Sequence, residues 1–352
     1  MKRSSFVRLS LFVSLFALGV VMLGAYVRLS DAGLGCPDWP GCYGQLVAPS
    51  SHQELDAAAA GFARPLDAAK AWKEMVHRYF AGTLGLLILG IAVAAWRRRR
   101  RDPEQLLTVP LVLLGLVIFQ ALLGMWTVTL QVKPVIVTAH LLGGVLTVSL
   151  LWWLTLRQAD WGASSPPALQ GRLKPWAWIG VALLLIQISL GGWTSTNYAA
   201  LGCTEFPTCY GGQWWPATDF SEAFVLWRGL GVNYEFGVLD SAARTAIHLT
   251  HRVGALVVLL YLGLLAWQLL RSPSGVGWRA LGVALLLALA LQIGLGITNV
   301  LGGLPLAAAV AHNGGAVVLM LVLLTLLHRL HPRRQPVPAM QGQRPAMGGA
   351  RS

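Results

Sequence analysis

Five of the chain's eight histidines lie inside long apolar stretches: His77, His140, His248, His251 and His312. Ionisable groups in such surroundings are costly to place and usually serve chemistry. The other three have plainer positions. His52 falls in a polar loop, and His328 and His331 close the last apolar stretch, so all three read as surface or snorkelling residues. Counted inward at 1.5 Å per residue, His77 and His140 sit roughly 9 Å below one surface, and His251 and His312 roughly 12–15 Å. Two histidines at one depth on neighbouring helices can fill both axial positions of one haem iron. A lone histidine is better read as a hydrogen-bonding link across a bundle, but a pair that recurs at matched positions favours haem. Zinc or copper fits less well, because no third or fourth soft ligand shares that depth.

A carboxylate stands beside one of these histidines. Glu74 precedes His77 by three residues, on the same helical face and one turn nearer the outer surface. It can accept a proton or hold a water. The plainer alternative is a cap at a helix start, where negative charge suits the helix dipole. The corresponding residue near His251 is His248, which cannot carry negative charge. Arg78 and Arg252 each follow a candidate ligand, and two readings stand: partners of haem propionates, or anchors at the membrane interface. Gln120 and Gln292 also recur and read as hydrogen bonds between helices.

Positioning these groups requires membrane helices. The chain is 55% hydrophobic and 12% charged, about half the charge fraction of a soluble protein. Eight stretches are long enough to cross a bilayer: Arg8–Arg28, Ala71–Trp96, Leu106–Thr129, Pro134–Leu156, Pro175–Thr196, Ser241–Leu270, Trp278–Val300 and Leu304–Leu327. The first is too long for a signal peptide, and no small-residue cleavage site follows it. The net charge of +13 indicates topology and not a nucleic-acid partner. Lys2, Arg3, Arg8, Arg97–Arg101, Arg157, Arg172, Lys174, Arg271, Arg279, Arg329, Arg333 and Arg334 all fall on one side if the chain begins in the cytoplasm. Both termini are then cytoplasmic, and loops 31–70 and 197–240 face outward. Trp72, Trp96, Trp126, Trp153, Trp193 and Trp278 sit near span ends and read as an aromatic belt.

All four cysteines lie in the two outer loops, an oxidising location that suits disulfides. The repeated Cys-x5-Cys spacing favours Cys36–Cys42 and Cys203–Cys209 among the three pairings. These loops also expose a duplication. GAYVRLSDAGLGCPDWPGCYG (24–44) aligns with GGWTSTNYAALGCTEFPTCYG (191–211), EMVHR (74–78) with HLTHR (248–252), FQALLG (119–124) with LQIGLG (291–296), and AHLLGG (139–144) with AHNGGA (311–316). Four blocks in one order mark an internal repeat. An even number of spans per copy makes the copies parallel. The expected architecture is all-α, two tandem pseudo-symmetric four-helix bundles, at 1–160 and 175–331, with a cytoplasmic linker at 161–174 and a disordered tail at 332–352.

Eight spans in two halves, E-x-x-H-R on the second, histidines on the fourth, sixth and eighth, and a cysteine pair in each outer loop together resemble bacterial haem A synthases over about residues 10–330. The resemblance implies an oxidoreductase of the bacterial inner membrane. It would convert the C8 methyl of haem O, through an alcohol, to the formyl of haem A for cytochrome c oxidase. It further implies that His77 and His140 hold the substrate haem, with Glu74 as the catalytic carboxylate. His251 and His312 would then hold a resident haem B, and the Cys36–Cys42 disulfide would lie near the reactive pocket. The implied partners are haem O, haem A, the lipid bilayer, haem O synthase and oxidase assembly factors. Two rival classes share the ligands: a quinol-linked two-haem electron-transfer cytochrome, and a non-enzymatic haem-delivery or assembly factor. Neither accounts for the mismatch between Glu74 and His248.

Overall fold

The computed structural model describes residues 3–47, 61–62, 67–103, 105–159, 167–272 and 275–331. His52, the tail from 332 and residues 161–166 lie outside the described residues. Nine helices are described: α1 (Arg3–Leu29), α2 (Ala68–Arg99), α3 (Thr108–Thr129), α4 (Pro134–Ala159), α5 (Pro167–Thr196), the one-turn α6 (Phe220–Ala223), α7 (Ser241–Leu270), α8 (Val276–Leu301) and α9 (Leu306–Arg329). All but α6 are long and apolar enough to cross a membrane, and no strand occurs among the described residues. The chain is a multi-pass membrane protein of all-helical class.

Local chemistry sets the helix ends. The Asp67 side chain accepts from Lys70 N ahead of α2, and Asp240 accepts from Ala243 N ahead of α7. Pro134 occupies the first position of α4, where its missing N–H costs nothing. Arg97, Arg98 and Arg99 close α2 at the dipole's negative end. One boundary differs from expectation. Residues 167–174, expected as linker, are the first turns of α5, which runs on through Pro175.

The helices pack as two rings. In the first, α1 contacts α2 and α4, and α3 contacts α2 and α4. In the second, α5 contacts α7 and α9, and α8 contacts α7 and α9. The rings meet through α1–α9, α4–α5 and α4–α9, with Trp152 Nε1 donating to Thr325 Oγ1 at 2.9 Å across the last of these. One apolar core runs through all eight long helices, from Phe6 through Ile88, Leu113 and Leu151 to Leu262, Leu285 and Leu323. Leu86, Leu260 and Leu287 point outward from the helices, as lipid-facing side chains must.

Two parts of the tryptophan and histidine readings change. Trp72 and Trp96 are exposed as a belt requires, whereas Trp193 and Trp278 are buried. Trp193 Nε1 donates to Ala223 O beneath α6, because an indole N–H taken from water needs an acceptor. His328 and His331 are half-buried, not surface groups, and pack edge-on against Trp153 at 5.7 and 5.4 Å.

The second outer loop also leans on the first ring. Lys133, fully buried before α4, donates to Gly229 O at 2.6 Å and lies 3.6 Å from the Trp227 ring centroid. Arg28 at the end of α1 donates to Ser195 O at 2.7 Å, and Tyr198 OH donates to Asp31 Oδ1 at 3.1 Å.

Candidate functional site

Both cysteine pairs are disulfide-bonded, Cys36–Cys42 and Cys203–Cys209. Each closes a small loop braced by one acidic side chain. Asp38 accepts from Tyr43 N and Gly44 N at 2.7 and 2.8 Å, and Glu205 accepts from Gly211 N and Gly212 N at 2.9 and 3.1 Å. The shared Tyr-Gly that ends each motif has a conformational reason. Gly44 and Gly211 adopt φ of 75° and 57°, a region that L side chains enter only with strain. The backbone donors and Thr208 Oγ1 around Glu205 hold its exposed carboxyl below the usual carboxylate range.

The loops are tied to the helices that carry the histidines. Glu74 is buried in the second turn of α2, past the Asp67 cap, so a helix-capping role is excluded. Its Oε2 accepts from Cys36 N at 2.9 Å, and its Oε1 pairs with Arg78 Nη2 at 2.5 Å. His248, equally buried on α7, accepts from Cys203 N through Nδ1 at 3.0 Å. The two residues therefore perform the same anchoring, one through a carboxylate and one through an imidazole. Arg252 reaches His248 Nε2 at only 3.3 Å. Arg78 and Arg252 are otherwise spent on loop carbonyls: Asp38 O and Gly41 O for Arg78, Glu205 O and Thr208 O for Arg252. Sequence reasoning had weighed propionates and interface anchoring for these arginines. It missed the loop carbonyls, which only the folded disulfide loops bring near them.

The remaining four histidines face into the rings, each against a glycine on a neighbouring helix. A β-carbon added at Gly24 of α1 would meet His77 Cε1 at 2.9 Å, and one at Gly191 of α5 would meet His251 Cε1 at 3.2 Å. The same holds for Gly124 of α3 with His140 at 3.6 Å and Gly296 of α8 with His312 at 3.2 Å. Sequence reasoning missed these four cradles, although every one of the glycines lies inside an aligned block. Their signal was a glycine kept in both copies within an apolar helix, where glycine is otherwise unfavourable.

Glutamines hold three of the four rings. Gln187 Nε2 contacts His251 Nδ1 and donates to His251 O, both at 3.0 Å. Gln120, with its amide nitrogen turned to the histidine, contacts His140 Nδ1 at 2.7 Å and its carbonyl at 3.2 Å. Gln292 Nε2 contacts His312 Nε2 at 3.3 Å. The interhelical role read for Gln120 and Gln292 is thus a contact to the candidate ligands themselves, and Gln187 was missed.

These features fit a haem between each pair. The His251 and His312 ring centroids are 6.5 Å apart. A metal held between two imidazole nitrogens, with bonds of about 2 Å on each side, separates the centroids by roughly 6 Å. His77 Nδ1 and His312 Nδ1 are buried with no hydrogen-bond partner. The four glycines leave one side of each ring standing against helix backbone. His77 and His140 are near enough to interact electrostatically.

Comparison with known proteins converges on one group. A family model described as "Cytochrome oxidase assembly protein" (COX15-CtaA) matches residues 7–324. A protein of Shewanella oneidensis named "Heme A synthase" is 46% identical over 312 residues, which is 88% of this chain and 92% of that protein. Proteins of the same name from Rhodospirillum centenum and Shouchella clausii are 28% and 27% identical, over 91% and 83% of this chain and 86% and 85% of their own lengths. With histidine cradles, braced disulfide loops and a match running through all eight spans, the chain belongs to the COX15-CtaA family of cytochrome oxidase assembly proteins.

Proposed function

We propose that this protein is a haem A synthase, an inner-membrane oxidoreductase that converts the C8 methyl of haem O to the formyl of haem A. The observation that carries this beyond a haem-binding protein is the replacement of a charged anchor by a neutral one. Glu74 and His248 accept the same backbone N–H in the two loops, yet only Glu74 puts a carboxylate at that position, three residues before a histidine of the first pair. An electron-transfer cytochrome or a delivery factor has no use for that difference.

In this reading His77 and His140 hold haem O as substrate, and His251 and His312 hold haem B. The two halves, the second beginning with α5 at Pro167, are tandem pseudo-symmetric bundles, with both termini cytoplasmic. The paired rings of helices and the paired cradles support that symmetry. Haem B, when bound, supplies one-electron redox chemistry. Methyl to formyl, R–CH3 + H2O → R–CHO + 4 H+ + 4 e−, is a net four-electron oxidation whose electrons pass to an external acceptor, so protons must leave the substrate pocket as electrons do. Glu74 keeps a second lone pair on each oxygen beyond its contacts to Cys36 N and Arg78, and it accepts protons there. Arg78 holds that carboxylate in place. Gln120 sets the His140 ring; a ring bonded through one nitrogen carries its proton on the other, and a half-turn of the amide presents an oxygen to it.

Haem extraction from cells with and without this protein tests the activity. Deletion should abolish haem A and accumulate haem O in a strain with no second source. Unchanged haem A there would overturn the assignment.

A further inference from the structure

Three histidines share one device that the fourth lacks. Beside each of His140, His251 and His312 a glutamine from a neighbouring helix reaches the ring, and it fits because the residue three positions after the histidine is glycine. A β-carbon at Gly143 would collide with the Gln120 side chain, one at Gly254 with Gln187, and one at Gly315 with Gln292. Around His77 both parts are replaced. The repeat offset puts Val20 where Gln187 stands, four residues before the cradle glycine in each case (Gly24 and Gly191). Phe80 stands where Gly254 does, three residues after the histidine. Val20 is buried in the apolar core, and the Phe80 ring lies against Phe16 at 5.7 Å. His77 Nδ1 is correspondingly buried without a partner.

We infer that His77 is built as the releasable ligand, with Val20 and Phe80 as the positioning residues that withhold the amide clamp the other three histidines have. This rests on the proposed role of the four histidines as haem ligands. A ring whose second nitrogen is hydrogen-bonded has its orientation and basicity fixed. A ring with no such partner turns away at lower cost. Within the first bundle, His140 keeps its clamp through Gln120, so a haem can remain on one side while the other opens. A substrate site must load and unload, and a resident cofactor must not. The amide clamp separates these requirements within one duplicated fold.

The test measures haem transfer from the purified full-length protein to excess apomyoglobin. Wild type should lose haem in a fast phase from the first bundle and a slow phase from the second. Val20→Gln with Phe80→Gly should slow the fast phase tenfold or more. Gln187→Leu should speed the slow phase by a similar factor and shift the midpoint potential of the second haem, because the His251 ring loses the amide that contacts its Nδ1. Gln187→Glu, which keeps a hydrogen-bonding side chain of the same length beside the ring, should restore slow release. Wild-type rates in both the Val20/Phe80 variant and Gln187→Leu would overturn the inference. If the double variant does not fold, as judged by loss of the second-bundle haem spectrum, an unchanged slow phase in Gln187→Leu suffices to overturn it. His77→Ala separates the layers: if it leaves the fast phase and its spectrum intact, the ligand assignment fails, and not merely the clamp.

Discussion

The two disulfide loops share one plan, and they differ in the side chain that ties each to its helix. Each is closed by a Cys-x5-Cys bridge, braced by an acidic side chain on two backbone N–H groups, and held by an arginine on its carbonyls. Each is tied to its helix by an acceptor for the first cysteine's N–H, Glu74 in one and His248 in the other. A histidine therefore meets the structural requirement. The carboxylate in the first loop is more than that requirement, for its other oxygen pairs with Arg78, and a buried carboxylate is costly to keep.

Swapping the anchor is the strongest way to break that comparison. Glu74→His should leave the first loop folded, because an acceptor for Cys36 N remains, while haem A output falls at least tenfold and haem B is retained. Glu74→Ala should stall at haem O or the C8 alcohol. It should also destabilise the loop by roughly 1–3 kcal/mol, since the buried Cys36 N loses its acceptor. Normal haem A output from Glu74→His would remove the charge from the mechanism. Haem content of the purified variants checks retention, and thermal unfolding checks the loop.

The glycine cradles allow a graded comparison. Alanine at Gly24 would place a β-carbon 2.9 Å from the His77 ring, at Gly191 and Gly296 3.2 Å from His251 and His312, and at Gly124 3.6 Å from His140. Haem content per protein should fall in that order, with Gly124→Ala close to wild type, because 3.6 Å is an ordinary contact distance. A flat series would mean that the glycines do not set the rings.

The smallest effect concerns the acidic braces. The native donors hold the Glu205 carboxyl below its unfolded value, so its contribution to the second loop is present above the unfolded pKa. That contribution is lost as pH falls through the lower folded value. Glu205→Gln should remove this acid-limb dependence, below about pH 4, and lower loop stability slightly at neutral pH. Amide exchange at Gly211 and Gly212 across an acid titration reads it, and identical acid limbs in both proteins would contradict it.

Much of this was legible from the chain alone, for physical reasons. Hydropathy fixes spans because no backbone group can go unpaired in lipid, and all eight were found. The cysteine pairs were legible because their spacing repeats, and the histidines because an ionisable group in an apolar stretch stands out. Gln187 was not legible. Its counterpart is Val20, so reading for features shared by both copies passes over it, and its partner Gly254 gains meaning only from packing between α5 and α7. Trp193 and Trp278 were misassigned to the belt because position near a span end does not tell which way an indole faces. The Arg78 and Arg252 contacts depend on a loop path that no periodicity encodes.

The claim that one bundle changes a haem and the other keeps one is tested most directly by removing ligand pairs in a strain that makes haem O. Protein carrying His77→Ala and His140→Ala should be purified with haem B alone. Protein carrying His251→Ala and His312→Ala should lose haem B and retain only haem O or its oxidation products. The same haem mixture in both variants would contradict the division between the two halves.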